Sequence, residues 1–132
     1  MKTLTTAQQI DALIRKDGGV TLQCYSDSTS DNIILDIFNP TGGYQIGCGN
    51  ILTEKYTALS SDKLHDCIRK LQAREGNFLG FWYDSESGTL DVDDCIWTSS
   101  KKTALTLACE NNELAIWDWE NSTEIETGLR NK

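Results

Sequence analysis

Apolar residues recur three and four apart in "TTAQQIDALIRKDGG", where Ile10, Leu13 and Ile14 share one side, so the chain opens with a helix. Thr6 and Gln9 stand at capping-box spacing, and Gly18 is its stop. The period then drops to two. "VTLQCYS" puts Val20, Leu22 and Cys24 on one face, and "DNIILDIF" (31–38) does the same with Ile33, Leu35 and Ile37. The polar run 26–32 between them predicts a mobile hairpin loop. Pro40 falls in the turn "NPTGG", and "GYQIGCG" reads as a short third strand. Residues 60–76 give the clearest helix. Ser60 or Ser61 caps it, Leu64, Cys67, Ile68 and Leu71 form its stripe, and Gly76 ends it. A strand over 78–84, the turn "SESG" and a strand over 89–97 form a hairpin. "SSKKTALTLACENN" is a third helix capped by Ser99 or Ser100, with Ala104, Leu105, Leu107 and Ala108 as its apolar set. "ELAIWDW" and a short "EIET" close the pattern as strands.

Most links between strands are too short for the helical crossover that parallel neighbours need. The pattern therefore predicts an α+β fold, a mainly antiparallel sheet with about three helices packed on it. The 132 residues fit a single domain over 1–132. No apolar run approaches the roughly 18 residues that cross a bilayer. The first residues lack the apolar centre of a secretion signal, so the expected location is the cytoplasm.

Charge changes this picture more than composition does. The net charge is −8. Residues 1–83 are nearly balanced, whereas residues 84–126 carry eleven acids against Lys101 and Lys102 alone. Phosphate polymers are repelled by such a surface, so direct binding of DNA or RNA is not expected. Two readings of the acid remain. It keeps the protein soluble and turns away unspecific partners, or it imitates nucleic acid towards a basic protein.

Candidate chemistry is sparse. The five cysteines, 24, 48, 67, 95 and 109, include no C-x-x-C pair, and they read as free buried thiols. His65 is the one histidine; it lies on the polar flank of its helix, a poor partner for Cys67 or for a nucleophile. No phosphate-loop or dinucleotide glycine motif is present. Asp84, Asp91, Asp93 and Asp94 lack the internal glycine turn of a calcium loop, and within a strand Asp94 points away from Asp91 and Asp93. The expectation is no catalytic residue, no metal and no cofactor. The rings say more. Phe78, Gly80 and Trp82 share one face of their strand, and Leu79, Phe81 and Tyr83 share the other. Large residues on both faces predict that both are covered, one by helices and the other by a second subunit or a stacked base.

The order of "GYQIG", a helix, "NFLGFW", "GTLDVDD", "ALTLACENN" and "ELAIWDWENSTEIETG" is similar to small phage and prophage accessory proteins. Among these it resembles the Thoeris anti-defence sponge family over roughly residues 43–128. The resemblance implies a homo-oligomer that traps a cyclic ADP-ribose-like immune signal without catalysis, in pockets at subunit contacts. It implies that Phe81 or Tyr83 stacks the adenine, that Asp93 or Asn112 takes ribose hydroxyls or the base edge, and that Arg69 or Arg74 meets the pyrophosphate. This chain departs from the family at Glu110, where a basic residue is expected, and at bulky Phe81, where a small one is usual. The alternative of a different class is an acidic inhibitor that docks on a basic nuclease or DNA-binding defence protein of the host.

Overall fold

A computed structural model describes residues 7–26 and 33–129. Among the described residues three helices and seven strands follow one another as α1 (Ala7–Asp17), β1 (Gly19–Ser26), β2 (Ile33–Ile37), β3 (Tyr44–Lys55), α2 (Ser61–Ala73), β4 (Phe78–Asp84), β5 (Thr89–Thr98), α3 (Lys101–Glu110), β6 (Ala115–Asp118) and β7 (Thr123–Glu126). The strands form one antiparallel sheet in the order β2-β1-β4-β5-β3-β6-β7, so the fold is α+β as the pattern predicts. Thr6 of the expected capping box and residues 27–32 of the expected hairpin loop lie outside the described residues.

Residue contacts group the chain into two compact units. The first is Met1–Phe38 with Asn50–Asp94, and the second is Asn39–Gly49 with Cys95–Lys132. β3 and β5 supply residues to each. In the first unit, Ile10 and Ile14 of α1 and Leu64, Ile68 and Leu71 of α2 pack on Leu22, Leu35, Leu79, Phe81, Leu90 and Val92. Alternation sends the neighbours of these strand residues, Gly80, Trp82, Asp91 and Asp93, to the opposite face. In the second unit, Ala104 and Ala108 of α3 meet Ile46 and Ile116, with Tyr44, Leu105 and Ile125 alongside.

The starts of α2 and α3 use the expected chemistry. Ser60 accepts from the Lys63 N–H at 3.1 Å, and Ser100 accepts from the Thr103 N–H at 3.1 Å. The end of α2 differs from expectation in one respect. Glu75, not Gly76, takes the left-handed conformation, at φ 58°. The Gly76 N–H reaches Leu71 O and the Glu75 N–H reaches Gln72 O, a Schellman pattern. Gly76 is needed for closeness: a Cβ there would stand 2.6 Å from both an Asp94 oxygen and the Leu71 side chain.

The third strand is also longer than its sequence pattern, running through "NILTEK" to Lys55. Gly47, Gly49 and Asn50 read locally as a stop. Pairing with β5 overrides that local signal, because a neighbouring strand satisfies the backbone that a loop would leave to water.

Candidate functional site

The six residues that the resemblance singles out stand in different local settings. Phe81 is 0% exposed and belongs to the aliphatic core of the first unit, so its ring has no face left for a ligand. This corrects the expectation of a stacking ring there; the buried face of β4 is the one that carries Leu79 and Phe81. Tyr83, two residues on, is 38% exposed. Its ring lies 5.5 Å from Tyr56 at a tilt of 58°. The Tyr56 hydroxyl donates to Asp11, and the Arg15 guanidinium stands 5.4 Å from the Tyr56 ring centre. Asp11 also accepts from the Leu59 N–H at 2.9 Å, while Arg15 donates to Thr57 O at 2.8 Å. Burial first, and the Asp11 hydrogen bond second, push the Tyr56 phenol up to about 12. This group ties α1 to the segment after β3.

Arg69 is exposed on α2, on the flank away from the buried stripe. Arg74, at the end of α2, is engaged: Nε stands 3.8 Å from Asp94 Oδ2, and Nη1 donates to Asn50 O at 3.1 Å. Asn112 is exposed just past α3 with φ 58°. Its N–H reaches Cys109 O and the Glu113 N–H reaches Ala108 O, so it ends the helix in another Schellman pattern. Asn is there because its short amide tolerates the left-handed region.

Asp93 has the most developed surroundings of the six. Asn50 Nδ2 donates to Asp93 Oδ1 at 3.1 Å, and the Thr53 hydroxyl donates to Asp91 Oδ1 at 2.7 Å. Burial raises the Asp93 carboxyl above its ordinary 3.8, and neighbouring Asp91 adds to the rise while Asn50 opposes it. Asp94, on the other face with Arg74, is also raised by burial, which outweighs the arginine. Asp91, Asp93, Asn50 and Thr53 thus make a set of carboxylate, amide and hydroxyl groups on the face shared with half-buried Trp82. Such a set suits a ligand rich in hydroxyl or amine donors. Asn50 and Thr53 were invisible in the sequence because their strand reads as a loop.

Three tryptophans mark the second unit. Trp97 Nε1 donates to Gly42 O at 3.0 Å, and its ring covers Gly43 so closely that a Cβ there would lie 2.3 Å away. Trp119 Nε1 donates to Gln45 Oε1 at 3.1 Å. Trp117 and Trp119 meet edge to face, 6.4 Å between centres at 89°. The Asp118 carboxylate, beside them in sequence, caps the β6–β7 turn. It accepts from the Glu120 N–H at 3.0 Å and from the Asn121 amide at 2.8 Å, which hold it below its ordinary range, the amide foremost.

Among the described residues no group of three or more His, Cys, Asp or Glu side chains is placed to hold a metal ion. Cys24, Cys67 and Cys95 are buried, as expected of free thiols, whereas Cys109 is exposed. Burial pushes the Cys24 thiol up to about 12 and Cys67 to about 11, which keeps both protonated and unreactive. Among the described residues no helix is long and apolar enough to cross a membrane. The fold and these sites define an acidic α+β protein with a small polar cradle and a separate indole cluster. No family model, curated protein or solved structure matches the chain.

Proposed function

We propose that this chain is a non-catalytic, anti-defence type inhibitor whose acidic surface imitates nucleic acid towards a basic nuclease or DNA-binding protein. The observation that carries the reading is the placement of charge. Within residues 84–126, Asp84, Glu86, Glu110, Glu120, Glu124 and Glu126 are all exposed, and the sole bases are Lys101 and Lys102. Exposed like charges cost stability through self-repulsion, and a cationic partner relieves that cost on binding. The test is displacement of a DNA duplex from a panel of basic nucleases and repressors at about 50 mM and about 300 mM salt. Displacement that weakens steeply with salt supports the reading. Absence of displacement at the lower salt, from every member of the panel, overturns it.

A second reading, sequestration of a cyclic ADP-ribose-like ligand by a homo-oligomer, is favoured by one observation. The Asn50–Asp93 and Thr53–Asp91 pairs place acceptors for ribose hydroxyls or an adenine amino group on the face that carries Trp82. Stacking on that indole replaces the role expected of Phe81, and is worth about 1–3 kcal/mol. Native mass spectrometry with cyclic ADP-ribose isomers reads ligand mass and subunit number together. A bound ligand recovered intact after heating supports sequestration. A cleaved product, or no adduct, removes it.

A further inference from the structure

The second unit offers a surface more specific than bulk charge. Ile46 and Ile116 are buried against Ala104 and Ala108 of α3, so the alternating residues Gln45 and Trp117 take the face away from α3, where Gln45 is buried and Trp117 half-buried. The register sets Gln45 opposite Trp117, Trp117 opposite Glu124, and Ala115 opposite Glu126. Trp119 extends this row by its hydrogen bond to Gln45 and its edge contact with Trp117. Both indoles are half-buried, and Glu124 and Glu126 are exposed. The Glu113 carboxylate lies on the same face, 3.0 Å from where a Gly47 Cβ would stand. The bases among the described residues of this unit are Lys101 and Lys102, the first two residues of α3, the helix that covers the other face.

We propose that this face docks an arginine-rich segment of a partner protein, with guanidinium groups on the Trp117 and Trp119 rings and their charge held by Glu124 and Glu126. The proposal rests on the charge-imitation reading and names the part of the surface that does the recognising. The face of an indole attracts cations, arginine above all, and a flanking carboxylate strengthens the contact. The rings are fixed beforehand by their contacts with each other and with Gln45, which lowers the ordering cost of binding. A second copy of this chain fits poorly, since self-pairing would bring Glu124 and Glu126 of two subunits together. A nucleic acid is repelled for the same reason.

The experiment titrates the full chain with a hexa-arginine peptide, following tryptophan fluorescence and calorimetry at about 50 mM salt. Two double variants remove the same charge: Glu124→Gln with Glu126→Gln on this face, and Asp84→Asn with Glu86→Gln at the β4–β5 turn. The first is expected to weaken binding about tenfold with little change in melting temperature, and Trp117→Leu to weaken it similarly. The turn variant is expected to stay within about twofold. Equal weakening by both doubles overturns this docking face while leaving charge imitation in place. No binding of the peptide by the unmodified chain overturns both. Sedimentation showing a dimer that Glu124→Gln with Glu126→Gln leaves intact and Trp117→Leu dissolves gives the face to a second copy, and also overturns the proposal.

Discussion

In the first unit, a cluster of sixteen buried apolar residues, Phe81 among them, draws on two helices, four strands and Leu59; in the second, a cluster of four joins Ala104 and Ala108 of α3 to Ile46 and Ile116. The tryptophans of the second unit are all only half-buried. Small alanines let α3 approach the sheet closely but remove little apolar area from water, so the helix side alone contributes modestly. An enclosed ring such as Phe81 therefore serves stability, whereas the half-buried indoles of the second unit keep part of their surface in solvent. The same residue type cannot be read the same way in both.

The largest expected effect breaks the comparison at its strongest point. Phe81→Ala should cost about 3–5 kcal/mol in urea unfolding, the range for emptying a buried phenylalanine site. A loss under about 1 kcal/mol would mean that Phe81 is not enclosed and could serve a ligand after all. Next comes Gly43→Ala. Gly43 sits at φ 87°, and the new methyl would meet the Trp97 ring at 2.3 Å. About 1–3 kcal/mol should be lost from backbone strain and displacement of the ring. Tryptophan emission should shift to the red as Trp97 is released from Gly42 O. Unchanged emission would show that the ring is not held there.

Two carboxylates sharpen the contrast through the sign of their pH dependence. Burial holds Asp93 above its ordinary value, so the folded chain binds that proton more tightly than the unfolded chain. Its contribution favours folding at low pH and is lost as pH rises through the folded value. Asp118 is held below its ordinary value, chiefly by the Asn121 amide, so its contribution is present at neutral pH and is lost as pH falls through the folded value. Asp93→Asn should raise the urea midpoint at pH 7 and leave it unchanged near pH 3. Asp118→Asn should lower the midpoint at pH 7, with the deficit shrinking towards pH 2. Equal signs at pH 7 would erase the distinction between a carboxylate buried at a cost and one that caps a turn.

Local signals in the sequence were enough for much of this. The span of β4, the caps Ser60 and Ser100, and the stripe Leu64–Cys67–Ile68–Leu71 all follow from periodicity and side-chain chemistry within a few residues. What was not legible depends on distant pairing. The second half of β3 exists because β5 lies beside it, and nothing in "GNILTEK" states that. Alternation correctly set Phe81 and Tyr83 on one face of β4, but not how far along the strand that face stays covered; Phe81 is enclosed and Tyr83 is not. Arg74 is free in the sequence and bound in the fold, because Asp94 and Asn50 reach it from elsewhere in the chain. The acidic bias of residues 84–126 was plain, whereas the row of Gln45, Trp117 and Glu124 needed strand register to appear.

The smallest effect concerns a residue that resembles a ligand contact and behaves as a helix end. Asn112 holds φ 58° while its N–H and that of Glu113 close the end of α3. Only glycine enters that region freely, and asparagine enters it at lower cost than other residues. If conformation is what selects Asn112, Asn112→Gly should leave stability within a few tenths of a kcal/mol, and Asn112→Ala should cost about 1 kcal/mol. Binding of any partner should be the same for both once folding is matched. If the amide instead contacts a ligand, glycine and alanine should weaken binding alike while differing in stability. Measuring urea midpoints and affinity for the two variants separates a helix end from a recognition group.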